Sequence, residues 1–198
     1  MYHYYQFHKP AGCVTALRDE HKPTIMQYLS DLDMTILRPV GRLDMDTEGL
    51  LILTDDGAYN QHMTHPDREI EKEYFFFALG TFTPEKQKIL EQGAAIPAMK
   101  GRKMRPAYIE VSETMTLEHL PTNLMEKVQA RTLKNRPDSP VFSGFITVTE
   151  GRKHEVKRLL KGIDCYCIYL KRIRMGEVRL FEDLALGEVR EFVPGEKS

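Results

Sequence analysis

The chain has 198 residues, of which 41% are hydrophobic and 29% are charged, and its formal net charge is −1. This composition is typical of a globular protein, and the sequence contains no run of about 18 apolar residues that could span a membrane. Because the net charge is near zero, a polyanion would have to be bound by a local basic patch. Three cysteines (Cys13, Cys165 and Cys167) provide no disulfide framework, and the N-terminus lacks the apolar segment of a signal peptide. We therefore expect a cytoplasmic protein without a membrane segment.

The first predicted elements are short and rich in aromatic residues. Residues Tyr2–Phe7 favour a strand, and the turn Lys9–Gly12 separates it from a second short strand at Cys13–Ala16. Pro23 favours the start of a helix, because proline suits the first helical position. The lysine of the turn, Lys9, is expected to be solvated.

The stretch Gly41–Gly49 is the strongest candidate for a functional site. It places Arg42 and three acidic residues between two glycines, directly before the apolar run Leu50–Leu53, which favours a buried strand. Acidic groups at the rim of a core are incompletely solvated, so neighbouring groups must match their charge. Three interpretations are open at this point: a solvated turn, a calcium loop, and a loop that carries a catalytic carboxylate.

The calcium interpretation is based on the spacing of the acidic residues. Asp44, Asp46 and Glu48 match the first, third and fifth positions of an EF-hand loop. The ninth position is Ile52, which has no side-chain oxygen, and the twelfth is Asp55 instead of the longer glutamate. We therefore expect no metal site here.

Further along the chain, the pattern predicts both helices and strands. Asp55 is expected to cap a helix that ends near His65, and Thr83 to cap a helix that begins at Pro84. Strands are predicted at Glu71–Leu79, Ala107–Val111, Met125–Leu133 and Phe142–Val148.

The segment Glu150–Leu160 is the second informative stretch. As a helix it would have one basic face, while apolar residues at the same spacing would face the core. Such a helix suits the binding of RNA phosphates, although a solvated surface helix has the same pattern. The basic candidates here and in the next strand are Arg152, Lys153, His154, Lys157, Arg158, Lys161 and Arg172.

Two motifs in these stretches resemble those of a known family. The motif Gly-Arg-Leu-Asp-x-x-Thr-Glu-Gly-Leu-Leu-x-Leu-Thr-x-Asp-Gly, at Gly41–Gly57, is similar to the central motif of the RsuA family of ribosomal RNA pseudouridine synthases. The segment Glu150–Arg158 resembles the family motif Glu-Gly-Arg-x-His-Gln-Val-Lys/Arg-Arg, but Glu155 stands where glutamine is usual. The resemblance covers the catalytic domain from Lys9 to about Val193. It implies that the small N-terminal RNA-binding domain of many members is missing.

The resemblance implies a fold and a set of site residues. The fold would be the α+β pseudouridine synthase fold, with a mixed, mostly antiparallel sheet flanked by helices and loops, and two lobes around a central cleft. Residues 1–198 would form a single catalytic domain. Asp44 would be the nucleophile, Tyr74 would stack on the target base, and Lys157 would pair with Asp44. Arg42 would fill the gap left by the flipped nucleotide, and the basic candidates would bind the RNA backbone.

The reaction implied by the resemblance needs neither a cofactor nor a metal. The partner would be ribosomal RNA, with large-subunit RNA favoured, and a monomer is expected. A non-catalytic RNA-binding module with the same fold is an alternative, which the presence of Asp44 with both partners disfavours. Glycoside hydrolysis by Asp44 and Glu48 is a second alternative, and the basic segment and the lack of tryptophan disfavour it. Whether Asp44 attacks the sugar or the base stays open.

Overall fold

The computed structural model describes residues 2–93, 104–128 and 137–195. Within these ranges the chain forms nine strands and four α-helices, joined by loops and short 3-10 helices. None of the helices in the described ranges is long and apolar enough to cross a membrane. The helices are α1 (Gly57–Thr64), α2 (Pro84–Glu91), α3 (Thr122–Val128) and α4 (Glu155–Gly162). The strands are β1 (Tyr4–Lys9), β2 (Arg38–Pro39), β3 (Glu48–Thr54), β4 (Lys72–Leu79), β5 (Tyr108–Thr116), β6 (Pro140–Val148), β7 (Tyr166–Met175), β8 (Val178–Arg179) and β9 (Val189–Glu191).

The nine strands belong to one mixed sheet. Strand β1 pairs antiparallel with both β3 and β9, and the pairs β2–β3, β5–β6 and β7–β8 are also antiparallel. Strands β3 and β7 run parallel and pair Glu48 with Lys171 and Gly49 with Arg172. The predicted α+β class and the mostly antiparallel sheet are therefore confirmed.

The chain divides into two compact units. The first consists of Met1–Glu73, Thr149–Lys153 and Lys171–Ser198, and its strand order is β7-β3-β1-β9. The second consists of Tyr74–Val148 and His154–Leu170, and its strand order is β5-β6-β4-β7. Strands β4 and β7 contribute residues to both units. The single domain over residues 1–198 and the central cleft stay predictions.

The core of the first unit forms around β3. All seven residues of β3 are buried, as the apolar run Leu50–Leu53 predicts. Helix α1 packs on this core through Met63, and its N-cap is Asp56, whose carboxylate accepts from the Tyr59 N–H over 3.0 Å. The prediction of Asp55 as the cap was one residue off, because Asp55 instead accepts from the backbone of His3 over 2.7 Å.

The second unit has its main core between the sheet and helices α2 and α4. Helix α2 begins at Pro84 and is capped by Thr83, as predicted. Its buried residue Leu90 belongs to the same apolar cluster as three residues of α4 and the inward-facing residues of β4 and β6. The residues from α4 are Val156, Leu159 and Leu160.

Three predicted elements differ from the structure. Residues Cys13–Ala16 form no strand and contain one isolated bridge, and the helix after Pro23 is the short 3-10 helix Ile25–Tyr28. The predicted strand Met125–Leu133 is wrong where it is described, because this region begins in helix α3. The carbonyl of Pro121 accepts from two backbone N–H groups there and starts the helix, which the strand-like residue types do not reveal. Residues 129–133 lie outside the described ranges.

Candidate active site

The Asp44 loop (residues 41–47) connects β2 to β3 and carries the predicted nucleophile. The Thr47 N–H donates to the Asp44 carbonyl over 3.1 Å, which closes a tight turn. The Gly12 N–H donates to the carbonyl of Met45 over 2.7 Å. Asp44 is half-buried, and the side chain of Met45 beside it is exposed. The backbone of the loop is thus held in place, while its outer side stays open to solvent.

Lys9, the last residue of β1, holds the Asp44 loop from the interior. Its side chain is fully buried, and its ammonium donates to the carbonyls of Pro10 (2.9 Å), Asp44 (3.2 Å) and Thr47 (3.0 Å). Burial lowers the pKa of Lys9. The prediction of a solvated lysine was wrong, because three carbonyl oxygens replace the water that a buried ammonium would lose. The available signal was the position of Lys9 at the start of the region that resembles the family's catalytic domain.

Thr15 binds the loop on the N-terminal side of Asp44. Its hydroxyl donates to the Leu43 carbonyl over 3.0 Å and accepts from the Leu43 N–H over 3.1 Å. Both residues are buried, so these hydrogen bonds are shielded from water. Asp44 therefore follows a residue whose two backbone polar groups are both bound.

The other charged residues of this region have different surroundings. Arg42 and Asp46 are exposed, whereas Glu48 is buried and stands in register with Lys171. Burial lowers the pKa of Lys171, and the Glu48 carboxylate partly opposes this effect. The surroundings of Glu48 fit a structural role. Exposure of Arg42 is compatible with an RNA contact, which stays a prediction.

Arg172 does not belong to an exposed basic surface, and this corrects its prediction as an RNA contact. Its side chain is 2% exposed, and its Nε donates to the Leu50 carbonyl over 2.8 Å. Its Nη2 atom is buried and has no hydrogen-bond partner among the described residues. The backbones of β3 and β7 also approach closely here, because a Cβ added at Gly49 would lie 2.1 Å from the Arg172 carbonyl oxygen.

The Arg152 turn (residues 149–153) leads from β6 toward α4 and belongs to the first unit. Gly151 has a φ of +71°, a left-handed conformation that glycine adopts without a Cβ penalty. Arg152 Nη2 lies 2.8 Å from a carboxylate oxygen of Glu150, so part of its charge is matched within the turn. Lys153 is exposed.

Helix α4 carries the predicted basic face in the second unit. It begins at Glu155 and not at Glu150, because His154 has a left-handed φ of +56° and stands at the N-cap. Lys157 and Arg158 are half-buried, and Lys161 is exposed. The basic residues thus keep the predicted spacing along one short helix, and their contact with RNA stays a prediction.

Glu155, the departure from the family motif, is buried in the first turn of α4. The N-terminus of a helix carries a partial positive charge, which stabilises a carboxylate there. This position accounts for how the additional negative charge is tolerated.

Tyr74 is half-buried on β4 and packs against the main core of the second unit. Its burial agrees with a core aromatic residue, and its partial exposure leaves room for a base contact. Asp44 belongs to the first unit, whereas Tyr74 and Lys157 belong to the second. The convergence of these three residues therefore stays a prediction from the family resemblance. Among the described residues, no group of three or more His, Cys, Asp or Glu side chains is placed to hold a metal ion.

Comparisons with known proteins agree with the motifs. The family model described as RNA pseudouridylate synthase matches residues 3–161. The RNA pseudouridine synthase YtzG of Bacillus subtilis is 32% identical over 194 residues, covering 98% of this chain and 71% of the relative. Ribosomal small subunit pseudouridine synthase A of Escherichia coli is 29% identical over 94% of this chain and 69% of its own length. A crystal structure of pseudouridylate synthase superimposes with a TM-score of 0.75 at 28% identity, covering 98% of this chain and 71% of that one.

Proposed function

Because the chain belongs to the RNA pseudouridylate synthase family, we propose that it isomerises a specific uridine of ribosomal RNA to pseudouridine, with Asp44 as the nucleophile. The arrangement of the Asp44 loop is the observation that carries this assignment. Its backbone is bound by Lys9, Gly12 and Thr15, and its outer side remains accessible. A carboxylate held in this way is pre-positioned for attack on a bound nucleotide.

The proposed reaction balances without a co-reactant. The bond between the ribose anomeric carbon and N1 of uracil breaks, the uracil turns, and a bond from the same carbon to C5 forms. The proton at C5 leaves, and N1 ends with a proton. A carboxylate nucleophile can stabilise the separated fragments by a covalent bond to the sugar or to the base.

We propose that Tyr74 and Lys157 assist Asp44. An ammonium within about 4–6 Å keeps a half-buried carboxylate ionised, and Lys157 is the residue that the motif assigns to this role. An aromatic ring can stack on an extruded base, and Tyr74 has a partly exposed ring on β4. Both assignments are carried over from the family motifs onto the matching positions.

Target uridines in folded RNA must leave their stack before they can reach Asp44. This step costs a few kcal/mol, which contacts to the RNA backbone offset. The exposed basic residues available for these contacts are Arg42, Lys153, His154 and Lys161, with the partly buried Arg152 and Arg158 beside them in the sequence. Phosphate contacts of this kind weaken with salt.

The choice of ribosomal RNA follows from the relatives. Those of Escherichia coli and Yersinia pestis are named small-subunit enzymes, so the sequence-based preference for large-subunit RNA has no support. We therefore propose small-subunit RNA as the first substrate to test. Large-subunit RNA serves as the comparison substrate in the same assay.

The experiment that tests the nucleophile is Asp44→Asn, which keeps size and shape but removes the charge. Release of tritium from RNA labelled at C5 of uridine should fall to background, because an amide is not a nucleophile for this step. RNA binding should persist or tighten slightly, because one negative charge near the phosphates is removed.

Asp46→Asn is the matched control, since it makes the same change two residues away at an exposed position of the same loop. This control should retain turnover. Wild-type turnover in the Asp44→Asn protein would refute the role of Asp44. A wild-type protein that binds RNA but releases no tritium from either ribosomal RNA would instead support a non-catalytic RNA-binding module.

A further inference from the structure

Lys72, the first residue of β4, is a second buried lysine of the first unit. Its side chain is 6% exposed, and its ammonium donates to the carbonyl of Ile70 over 2.8 Å and to that of Thr149 over 3.3 Å. The contact with Thr149 joins two residues that are 77 positions apart in the sequence. It therefore holds Thr149, the first residue of the Arg152 turn, against the start of β4.

Burial of an ammonium is unfavourable unless hydrogen bonds replace its hydration. A methionine would occupy a similar volume at this position without that cost. The two carbonyl contacts replace part of the lost hydration, and one of them is made to the backbone at Thr149. Lys72 thus acts on the segment that begins there.

That segment is the Arg152 turn. A Cβ built on Gly151 would lie 3.5 Å from Lys72 Nζ and 3.6 Å from its Cε, so the turn rests directly on the end of this side chain. Gly151 has a left-handed conformation, and Arg152 next to it is paired with Glu150. The position of the two following basic side chains therefore depends on a turn that Lys72 supports from the interior.

We propose that Lys72 is a positioning residue that holds the Arg152 turn so that Arg152 and Lys153 bind RNA backbone phosphates. Lys72 is buried and does not touch the RNA itself, so it acts through these two residues. The inference is based on the proposed function, because it names the part of the molecule that grips the substrate of that reaction. Its effect belongs to substrate binding and not to the chemical step.

The first test is Lys72→Met, measured by steady-state turnover of a ribosomal RNA fragment. KM should rise about tenfold, which corresponds to about 1.4 kcal/mol, while kcat stays unchanged, because phosphate binding by the turn is equally strong in the ground state and the transition state. Lys72→Gln keeps an N–H donor without the charge, and it should raise KM by a smaller factor. The slope of the logarithm of the binding constant against the logarithm of the salt concentration should become shallower by about 0.7 for each phosphate that the turn no longer neutralises.

Lys86→Met is the matched control, because Lys86 also donates to a backbone carbonyl, that of Thr81 over 2.8 Å, but in the second unit. It should leave KM and the salt slope unchanged. The free energy of unfolding of all variants, measured in urea, separates loss of folded protein from loss of binding. If Lys72→Met does not fold, the Gln variant alone decides the outcome.

A double-mutant cycle isolates the positioning role. In an Arg152→Ala and Lys153→Ala background, Lys72→Met should produce no further rise in KM, because the residues through which it acts are gone. Additive increases, or a change in unfolding free energy with unchanged KM and salt slope, would overturn the proposal. A wild-type protein without turnover would refute the proposed function instead, and direct binding of the RNA fragment would still test Lys72.

Discussion

The Asp44 loop and the Arg152 turn are each held by a buried lysine at one end of a strand. The glycines at these two places, Gly49 and Gly151, have different kinds of atoms beside them. At Gly49, where the chain leaves the Asp44 loop, an added Cβ would meet three backbone atoms of Arg172 within 2.1–2.9 Å. At Gly151 it would meet only the end of the Lys72 side chain, at 3.5 Å and 3.6 Å.

The Asp44 loop and the Arg152 turn therefore have supports that differ in rigidity. A strand backbone within a sheet cannot move without breaking its hydrogen bonds, whereas a lysine side chain can shift by changing rotamer. Misplacement of a nucleophile by about 1 Å can reduce the rate about 100-fold, so the rigid backbone support at Gly49 suits the role proposed for Asp44. Phosphate contacts hold a flexible backbone through charge, so the role proposed for Arg152 tolerates a more adjustable support.

Alanine substitution of the two glycines should have the largest effect and tests the comparison directly. Gly49→Ala should destabilise the protein by more than about 4 kcal/mol or prevent folding, because the new Cβ would force β3 and β7 apart. Gly151→Ala should cost about 1–2 kcal/mol, which is the penalty for a left-handed non-glycine residue. Urea unfolding of both variants measures the difference.

Gly12→Ala provides the control for backbone conformation alone, because Gly12 has a φ of +97° and no atom within 4 Å of the added Cβ. Its cost should match that of Gly151→Ala. If alanine at Gly49 and alanine at Gly151 reduced the free energy of unfolding equally, the two supports would not differ in rigidity.

Replacement of the two lysines should have the next largest effect. Lys9→Met leaves the buried carbonyls of Asp44 and Thr47 without this donor, and it should reduce the free energy of unfolding by about 2–4 kcal/mol. Lys72→Met should reduce it by about 1–2 kcal/mol, since the hydrogen bond from Lys72 to the Thr149 carbonyl is long, at 3.3 Å. Turnover should separate them further, because Lys9→Met should lower kcat, whereas Lys72→Met should raise KM. The same kinetic change in both variants would contradict the division of roles.

The pH dependence of stability should show the smallest effect. Burial lowers the pKa of Lys9 below its ordinary value of 10.5. Between that lowered pKa and 10.5, the unfolded state holds a proton that the folded state has released, so stability rises with pH. Below the lowered pKa both the folded and the unfolded state hold the proton, so this group no longer makes stability depend on pH. The free energy of unfolding of the wild type should therefore exceed that of Lys9→Met by a growing amount as the pH is raised toward 10.5. A difference that stays constant with pH would argue against a desolvated ammonium.

The sequence pattern correctly predicted the elements that depend mainly on residues close together in the sequence. The apolar run after Gly49 predicted β3, and the Thr83–Pro84 pair predicted the start of α2, because burial and helix capping depend on neighbours in the sequence. The boundary of α4 was less accurate, because the left-handed conformation of His154 is not apparent from its residue type.

The residues that the sequence misplaced have their partners far along the chain. Lys9 is bound by carbonyls 35 and 38 residues away, and Arg172 by a carbonyl 122 residues away. Residue type predicts that both are solvated, since a lysine or an arginine is seldom fully buried. The contacts that bury these two side chains form between segments that are distant in the sequence. The local residue pattern therefore does not predict them.

The parallel contact between β3 and β7 also has a consequence for the synthesis of the protein, because its two sides are made at different times. The Asp44 loop leads into Glu48 and Gly49, whose partners Lys171 and Arg172 are translated more than a hundred codons later. At about 5–20 residues per second, the ribosome completes the 122 residues between Leu50 and Arg172 in about 6–24 s. During that interval β2 can pair with Leu53 and Thr54 on this edge of β3, but Glu48 and Gly49 lack their β7 partners and are open to pairing with other chains. Asp44, the proposed nucleophile, is thus made well before the strand that completes its support, and we expect a growing chain to be inactive until β7 emerges.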